Sequence, residues 1–194
     1  MKKDLNSNNK QLVDKVFKIL TKFKNSNKKI ENIFTELFEK DFDVQLNEIS
    51  QLENGLLKGL IISVKDLFDV KGYITRGGTK FLKPDISLSD AKCISNIRKE
   101  GGLLLGHTNM TELAYSGLGI NPHYGTPDNP LYPGAVPGGS TSGGAVSVVL
   151  DLSDIAIGTD TGGSTRIPAA FTGITGFKPT PVSYTHLTLP TRIF

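Results

Sequence analysis

Cysteine is almost missing from this chain. Cys93 is the only one, which excludes an intramolecular disulfide and argues against a cysteine-based metal site. Histidine is nearly as scarce. His107, His123 and His186 are scattered along the sequence, with none of the separations that metal ligands adopt. No apolar run approaches the roughly 18 residues that a membrane span requires. Met1-Lys2-Lys3 is followed by polar residues rather than a signal-peptide core, so no membrane association is expected and the location is expected to be cytoplasmic. The glycine-rich loops contain no Gly-Lys-Ser/Thr of a P-loop. They also lack the G-x-G-x-x-G fingerprint of a dinucleotide fold and the G-x-S-x-G nucleophile elbow. No internal repeat is evident.

What is present describes one sizeable core, or two small ones. The 194 residues are 38% hydrophobic and 21% charged, an ordinary soluble composition. The net charge of +3 is unevenly placed, with ten lysines against five carboxylates in residues 1–40. Those lysines alternate with apolar residues at helical spacing, which reads as the solvated face of an amphipathic helix and gives no direct nucleic-acid signal.

The apolar periodicity predicts two helices near the N-terminus. Leu12, Val13, Val16, Phe17, Leu20 and Phe23 mark the first, and Ile30, Ile33, Phe34, Leu37 and Phe38 the second. Residues 1–50 are therefore expected to form amphipathic helices packing on a core made by residues 51–180. Gly59–Val64 reads as a buried strand that runs into Lys65-Asp66. A helix is expected from Ser89-Asp90, with Ile94 and Ile97 inward and Gly101 as its stop. Leu103–Leu105 is a second strand. Asn109 and Glu112 have capping-box spacing, predicting a short helix through Tyr115. Asn121–Pro133 must be loop, Ala145–Leu150 helix, and Asp154–Ile157 a third strand. Strands alternating with helices argue for an α/β layered fold.

Sixteen of the 21 glycines lie between Gly101 and Gly176, so backbone there turns tightly or approaches something closely. Two glycine-serine loops stand out, Gly138-Gly139-Ser140 and Gly162-Gly163-Ser164. A serine ending a glycine turn after a strand suits a nucleophile, because backbone N–H groups can converge on a developing oxyanion. Taken alone, each loop reads as a structural turn with an incidental serine. The serine needs a base, for which His107, His123 and lysine are the candidates. A catalytic lysine must be held neutral by burial, which places it at the end of a buried strand. Lys65 meets that requirement, although an ion-paired Lys65 beside Asp66 or Asp69 satisfies the same pattern.

Several motifs together resemble one family. Pro137–Gly144, Gly158–Ala170 and Gly176–Thr180 look like the amidase signature family. Ser63-Val64-Lys65-Asp66 and Gly106–Glu112 match its upstream landmarks in order. The resemblance spans about residues 57–180. It implies an α/β fold with a mixed sheet layered between helices, and a Ser–cis-Ser–Lys triad. Ser164 would be the nucleophile, Ser140 the bridging serine after a cis peptide bond, and Lys65 the base. The N–H groups of Thr161, Gly162, Gly163 and Ser164 would form the oxyanion hole. No metal or cofactor is implied. The implied reaction is hydrolysis of a small-molecule carboxylic amide through an acyl-serine. The alternative within the family is the glutaminase component of a tRNA-dependent (glutamyl/aspartyl-tRNA) amidotransferase, working with amidotransferase partner subunits. A non-catalytic protein keeping the fold is the alternative of another class. Family members are much longer, so the chain is expected to be an N-terminal fragment, incomplete at its C-terminus and close to inactive alone. Residues 181–194 do not follow the family's continuation and are expected to be non-native.

Overall fold

The structure is a computed structural model that describes residues 7–24, 32–82 and 85–180. Among the described residues four strands form one mixed sheet in the order β1-β3-β2-β4. Strands β2 (Ile61–Lys65), β3 (Leu103–Thr108) and β4 (Ile155–Ile157) run parallel, and β1 (Phe34–Leu37) closes one edge antiparallel to β3. All of β2 and β3 is buried. Their runs of Ile, Val and Leu are what a parallel sheet covered on both faces selects.

The described residues form five α-helices, α1 (Ser7–Lys24), α2 (Phe42–Gln51), α3 (Lys92–Lys99), α4 (Ser142–Val149) and α5 (Arg166–Thr172). Helix α1 buries Leu12 and Val16 of its predicted stripe in the core together with Ile19, which the stripe did not include, while Phe17 of the stripe is 72% exposed. Helix α3 buries Ile94 and Ile97 and stops before Gly101, whose φ of +81° suits glycine. Its N-terminus lacks the expected side-chain cap. Asp90 instead accepts the Lys71 N–H at 2.8 Å and the Arg98 Nε–H at 2.9 Å. Among the described residues no helix is long and apolar enough to cross a membrane.

Two local expectations are overturned. The second predicted helix is absent over its described part, because Phe34–Leu37 is strand β1, with α2 beginning only at Phe42; Ile30 lies outside the described residues. Four residues with apolar ends fit a helix turn and a strand equally well. The open N–H and C=O groups of β3 decide the outcome by demanding a partner. Gly106 permits the pairing, since a Cβ there would collide with the carbonyl of Glu36 on β1. Beyond β1, Gln45 of α2 completes β3 by accepting the Leu104 N–H at 2.8 Å and donating to its carbonyl at 3.1 Å.

The capping box at Asn109 is the other. Asn109 is fully buried and its amide donates to the carbonyls of Asn32 and Gly125, both at 2.8 Å. Only a 3₁₀ turn, Glu112–Ala114, forms, with Leu113 and Ala114 at positive φ. The demand of buried carbonyls for donors outweighs the local capping preference. The predicted loop at residues 121–133 and strand at Ile155–Ile157 are as expected. Residues 181–194 lie outside the described residues.

Candidate active site

The C-terminal ends of the parallel strands converge on one side of the sheet, where open α/β sheets place their sites. Lys65 ends β2 opposite Thr108. The loop after β4 carries Thr159 to Ser164, and the loop before α4 carries Ser140. Lys65 and Ser140 are both 0% exposed. Lys65 Nζ donates to Ser140 Oγ at 2.7 Å and to Thr159 Oγ1 at 2.7 Å. Burial pushes the lysine down to about 7, with Asp160 pulling the other way. Near neutrality a large share of Lys65 is therefore an amine able to accept a proton.

The peptide bond between Gly139 and Ser140 is cis. Its surroundings hold it from both sides. Gly139 N–H donates to Gly117 O at 2.7 Å, and Ser140 O accepts the Thr111 N–H at 3.1 Å. Gly138 has φ +78° and approaches Pro168 so closely that a Cβ would clash. The two glycine loops are stitched together by Thr141 N–H donating to Ser164 O at 3.1 Å. Ser164 is half-buried. Among the described residues no hydrogen bond joins its hydroxyl to Ser140; besides the backbone bond, the loops are linked through Lys65, which bonds Ser140 and Thr159.

Asp160 shapes the second loop. Its carboxylate accepts the N–H groups of Gly163 (2.8 Å), Thr165 (3.2 Å) and Arg166 (3.3 Å). The Arg166 guanidinium adds two bonds at 2.9 Å. That guanidinium, helped by the N–H donors, holds the Asp160 carboxyl well below the usual carboxylate range. Of the four N–H groups expected to line an oxyanion hole, that of Gly163 donates to Asp160. The N–H groups of Thr161, Gly162 and Ser164 have no acceptor among the described residues.

A family model described as Amidase matches residues 14–189. The chain belongs to the amidase family. It is 49% identical over 125 residues to Amidase 1 of Arabidopsis thaliana, covering 63% of this chain and 29% of the relative. It is 43% identical over 143 residues to an indoleacetamide hydrolase of Pseudomonas savastanoi, covering 73% of this chain and 31% of the relative. One component of the glutamyl-tRNA(Gln) amidotransferase of Methanococcus vannielii is 44% identical over 138 residues, with 71% of this chain and 32% of the relative covered. A crystal structure of an amidase superposes with a TM-score of 0.71 at 36% identity, covering 83% of this chain and 37% of that one. The chain thus spans about a third of the length of the relatives it matches.

The structure of this amidase-family chain removes both histidine candidates from the serines. His107 pairs across the ladder with Val64, so strand alternation turns it to the face opposite Lys65. Its Nε2 lies 3.1 Å from the Phe68 carbonyl, and burial lowers it to about 4. His123 bonds Glu112 at 2.8 Å and meets Phe81 edge-on. Thr159, Asp160 and Arg166 are site residues that reading the sequence missed. Asp160 and Arg166 flank a glycine loop with opposite charges, a signal that was available. Nothing in the sequence marked Thr159 as a partner of the lysine.

Proposed function

We propose that this chain carries the catalytic core of an amidase that hydrolyses a small-molecule carboxylic amide through an acyl-Ser164 intermediate. The observation that carries the reading is the 2.7 Å bond between a fully buried Lys65 and Ser140. Neutral Lys65 takes the Ser140 proton while Ser140 takes the Ser164 proton, and Ser164 Oγ attacks the amide carbonyl carbon. The tetrahedral oxyanion faces the N–H groups of Thr161, Gly162 and Ser164. Gly163 lends its N–H to Asp160 and so fixes the shape of the turn. Collapse breaks the C–N bond, and the leaving amine receives the proton back from Lys65 through Ser140. Water then attacks the acyl ester by the same relay, releasing the carboxylic acid and free Ser164.

A second reading is the glutaminase component of a tRNA-dependent amidotransferase working with partner subunits, and the similarity to the Methanococcus amidotransferase favours it. The two are separated by assaying simple amides and glutamine, with and without partner subunits and charged tRNA. Turnover of simple amides without partners supports the amidase, and glutaminase activity that needs them supports the amidotransferase. In either case Ser164→Ala abolishes acyl-enzyme formation. Acyl transfer persisting in Ser164→Ala would remove the proposed nucleophile.

A further inference from the structure

Behind Lys65, on the same face of the sheet, lie three buried hydroxyls that the proposed reaction does not use. Strand β2 is apolar except at Ser63 and Lys65, which strand alternation turns to one face. Helix α4 lies across that face. A Cβ added at Gly144 would meet Ala156 of β4 and Thr108 of β3, the residues paired with Ser63 and Lys65. Ser63 Oγ lies 2.9 Å from Ser147 Oγ of the helix. Ser153 Oγ, in the loop entering β4, lies 2.9 Å from Ser147 Oγ and 3.1 Å from Ser63 Oγ. Ser63, Ser147 and Ser153 are 0%, 0% and 5% exposed. Proton counting orders the ring. The Ser147 hydroxyl donates to the Gly144 carbonyl at 2.7 Å, and a hydroxyl has one proton to give. Ser63 is therefore the donor to Ser147, and Ser153 donates to Ser63. A buried hydroxyl without a partner costs stability, whereas a satisfied set fixes one arrangement of the elements that carry it.

The ring and the lysine occupy the two ends of one helix-strand contact. Among the described residues two hydrogen bonds join β2 to residues 140–149, Lys65 to Ser140 at 2.7 Å and Ser63 to Ser147 at 2.9 Å. Ser63 to Lys65 advances about 6.6 Å along the strand and Ser142 to Ser147 about 7.5 Å along the helix, so the spacings match with the two running in opposite directions. We propose that the Ser63–Ser147 bond is a positioning clamp that fixes helix α4 on β2 and thereby holds Ser140 against the Lys65 amine. Ser63 and Ser147 are positioning residues, and Ser153 completes their hydrogen bonding from the side. The consequence for Ser164 rests on the catalytic reading proposed above, whereas the clamp itself does not.

Alanine variants of the three serines separate the clamp from general packing. Ser63→Ala and Ser147→Ala each cut the link between β2 and α4. Ser153→Ala also removes a buried hydroxyl but leaves Ser63 bonded to Ser147. Denaturant titration of the 194-residue chain is expected to show unfolding constants raised by roughly ten- to a hundredfold in all three. Lys65 tells them apart. Nuclear magnetic resonance of its Cε, titrated with pH, reads the free-amine fraction without any turnover. Burial lowers Lys65 to about 7, and loosening the helix admits water, which favours the charged form. At pH 7 the free-amine fraction is expected to fall by roughly fivefold in Ser63→Ala and Ser147→Ala, and to stay within about twofold of wild type in Ser153→Ala. Reaction with an alkyl fluorophosphonate supplies a kinetic measurement. Ser164 Oγ forms the bond to phosphorus, fluoride leaves, and the serine proton passes through Ser140 to Lys65. The inactivation rate constant is expected to fall roughly tenfold in Ser63→Ala and Ser147→Ala, with the probe's binding constant unchanged and Ser153→Ala like wild type. Equal shifts in all three variants, or an unmoved Lys65 in the first two, would overturn the clamp. A wild-type chain that the probe leaves unmodified would instead remove Ser164 as the nucleophile, and the lysine titration would still decide the clamp.

Discussion

Lys65 has no exposure and, among the described residues, bonds two hydroxyls and no carboxylate, so its burial costs stability. Lys65 is lowered from 10.5 to about 7, which corresponds to about 5 kcal/mol of burial cost at neutral pH. The direction follows from proton counting. Between pH 7 and 10.5 the unfolded chain holds a proton that the native chain has released, so this cost is full at or below pH 7 and fades toward pH 10.5. The bonds to Ser140 and Thr159 offset part of it. Lys65→Met is therefore expected to abolish amide hydrolysis while raising stability at pH 7 by ~2–3 kcal/mol, after the loss of two hydrogen bonds of about 1 kcal/mol each. Denaturant titration of both proteins at pH 7 and pH 10 checks this, and the gain must shrink at the higher pH. In the active enzyme the rate is expected to rise with pH through about 7, as the lysine loses its proton. The sequence marked Lys65 because strand-end burial is visible in apolar neighbours. Thr159 was not visible, because its hydroxyl is placed by a loop whose path depends on long-range hydrogen bonds.

At the scale of elements, legibility tracked how much each segment depends on partners distant in the chain. Helix α1, strands β2 and β3 and helix α3 declare themselves through periodicity and apolar runs, since their own residues decide their faces. Strand β1 does not. Its four residues become a strand only because β3, far along the chain, offers an open edge. The helix expected through Tyr115 fails for the same reason, since Asn109 serves two carbonyls brought in from Asn32 and Gly125. The close approach at Gly106 makes the β1 argument testable. Gly106→Ala places a methyl against the Glu36 carbonyl and Leu37, and overpacking of this kind costs about 1–3 kcal/mol. Hydrogen exchange is expected to show the protection of β1 falling by more than that of β2. Equal loss across the sheet would mean that β1 is not a separable edge.

The whole molecule is joined at Asp154, where the N-terminal helix, the strand carrying the lysine and the loop entering β4 meet. Its carboxylate accepts the Ile61 N–H at 2.8 Å and Lys15 Nζ at 2.5 and 2.6 Å. The two partners differ in value. The side chains of Lys15 and Asp154 are 43% and 29% exposed, so their ion pair is screened and worth at most about 1 kcal/mol. The Ile61 N–H heads a strand buried along its whole length, and without an acceptor it costs about 1–3 kcal/mol. Helix α1 is thus held mainly by Leu12, Val16 and Ile19, and the charge contact aligns it. Lys15→Ala is expected to cost less than about 1 kcal/mol, with the difference vanishing in roughly 1 M salt. Asp154→Ala is expected to cost about 2 kcal/mol at low salt and to lose only the ion-pair part, under about 1 kcal/mol, in roughly 1 M salt, because an unpaired backbone donor is not screened by ions. Val16→Ala, which leaves every charge in place, is expected to match or exceed Asp154→Ala by removing buried methyl groups, and denaturant titrations at low and high salt rank the three.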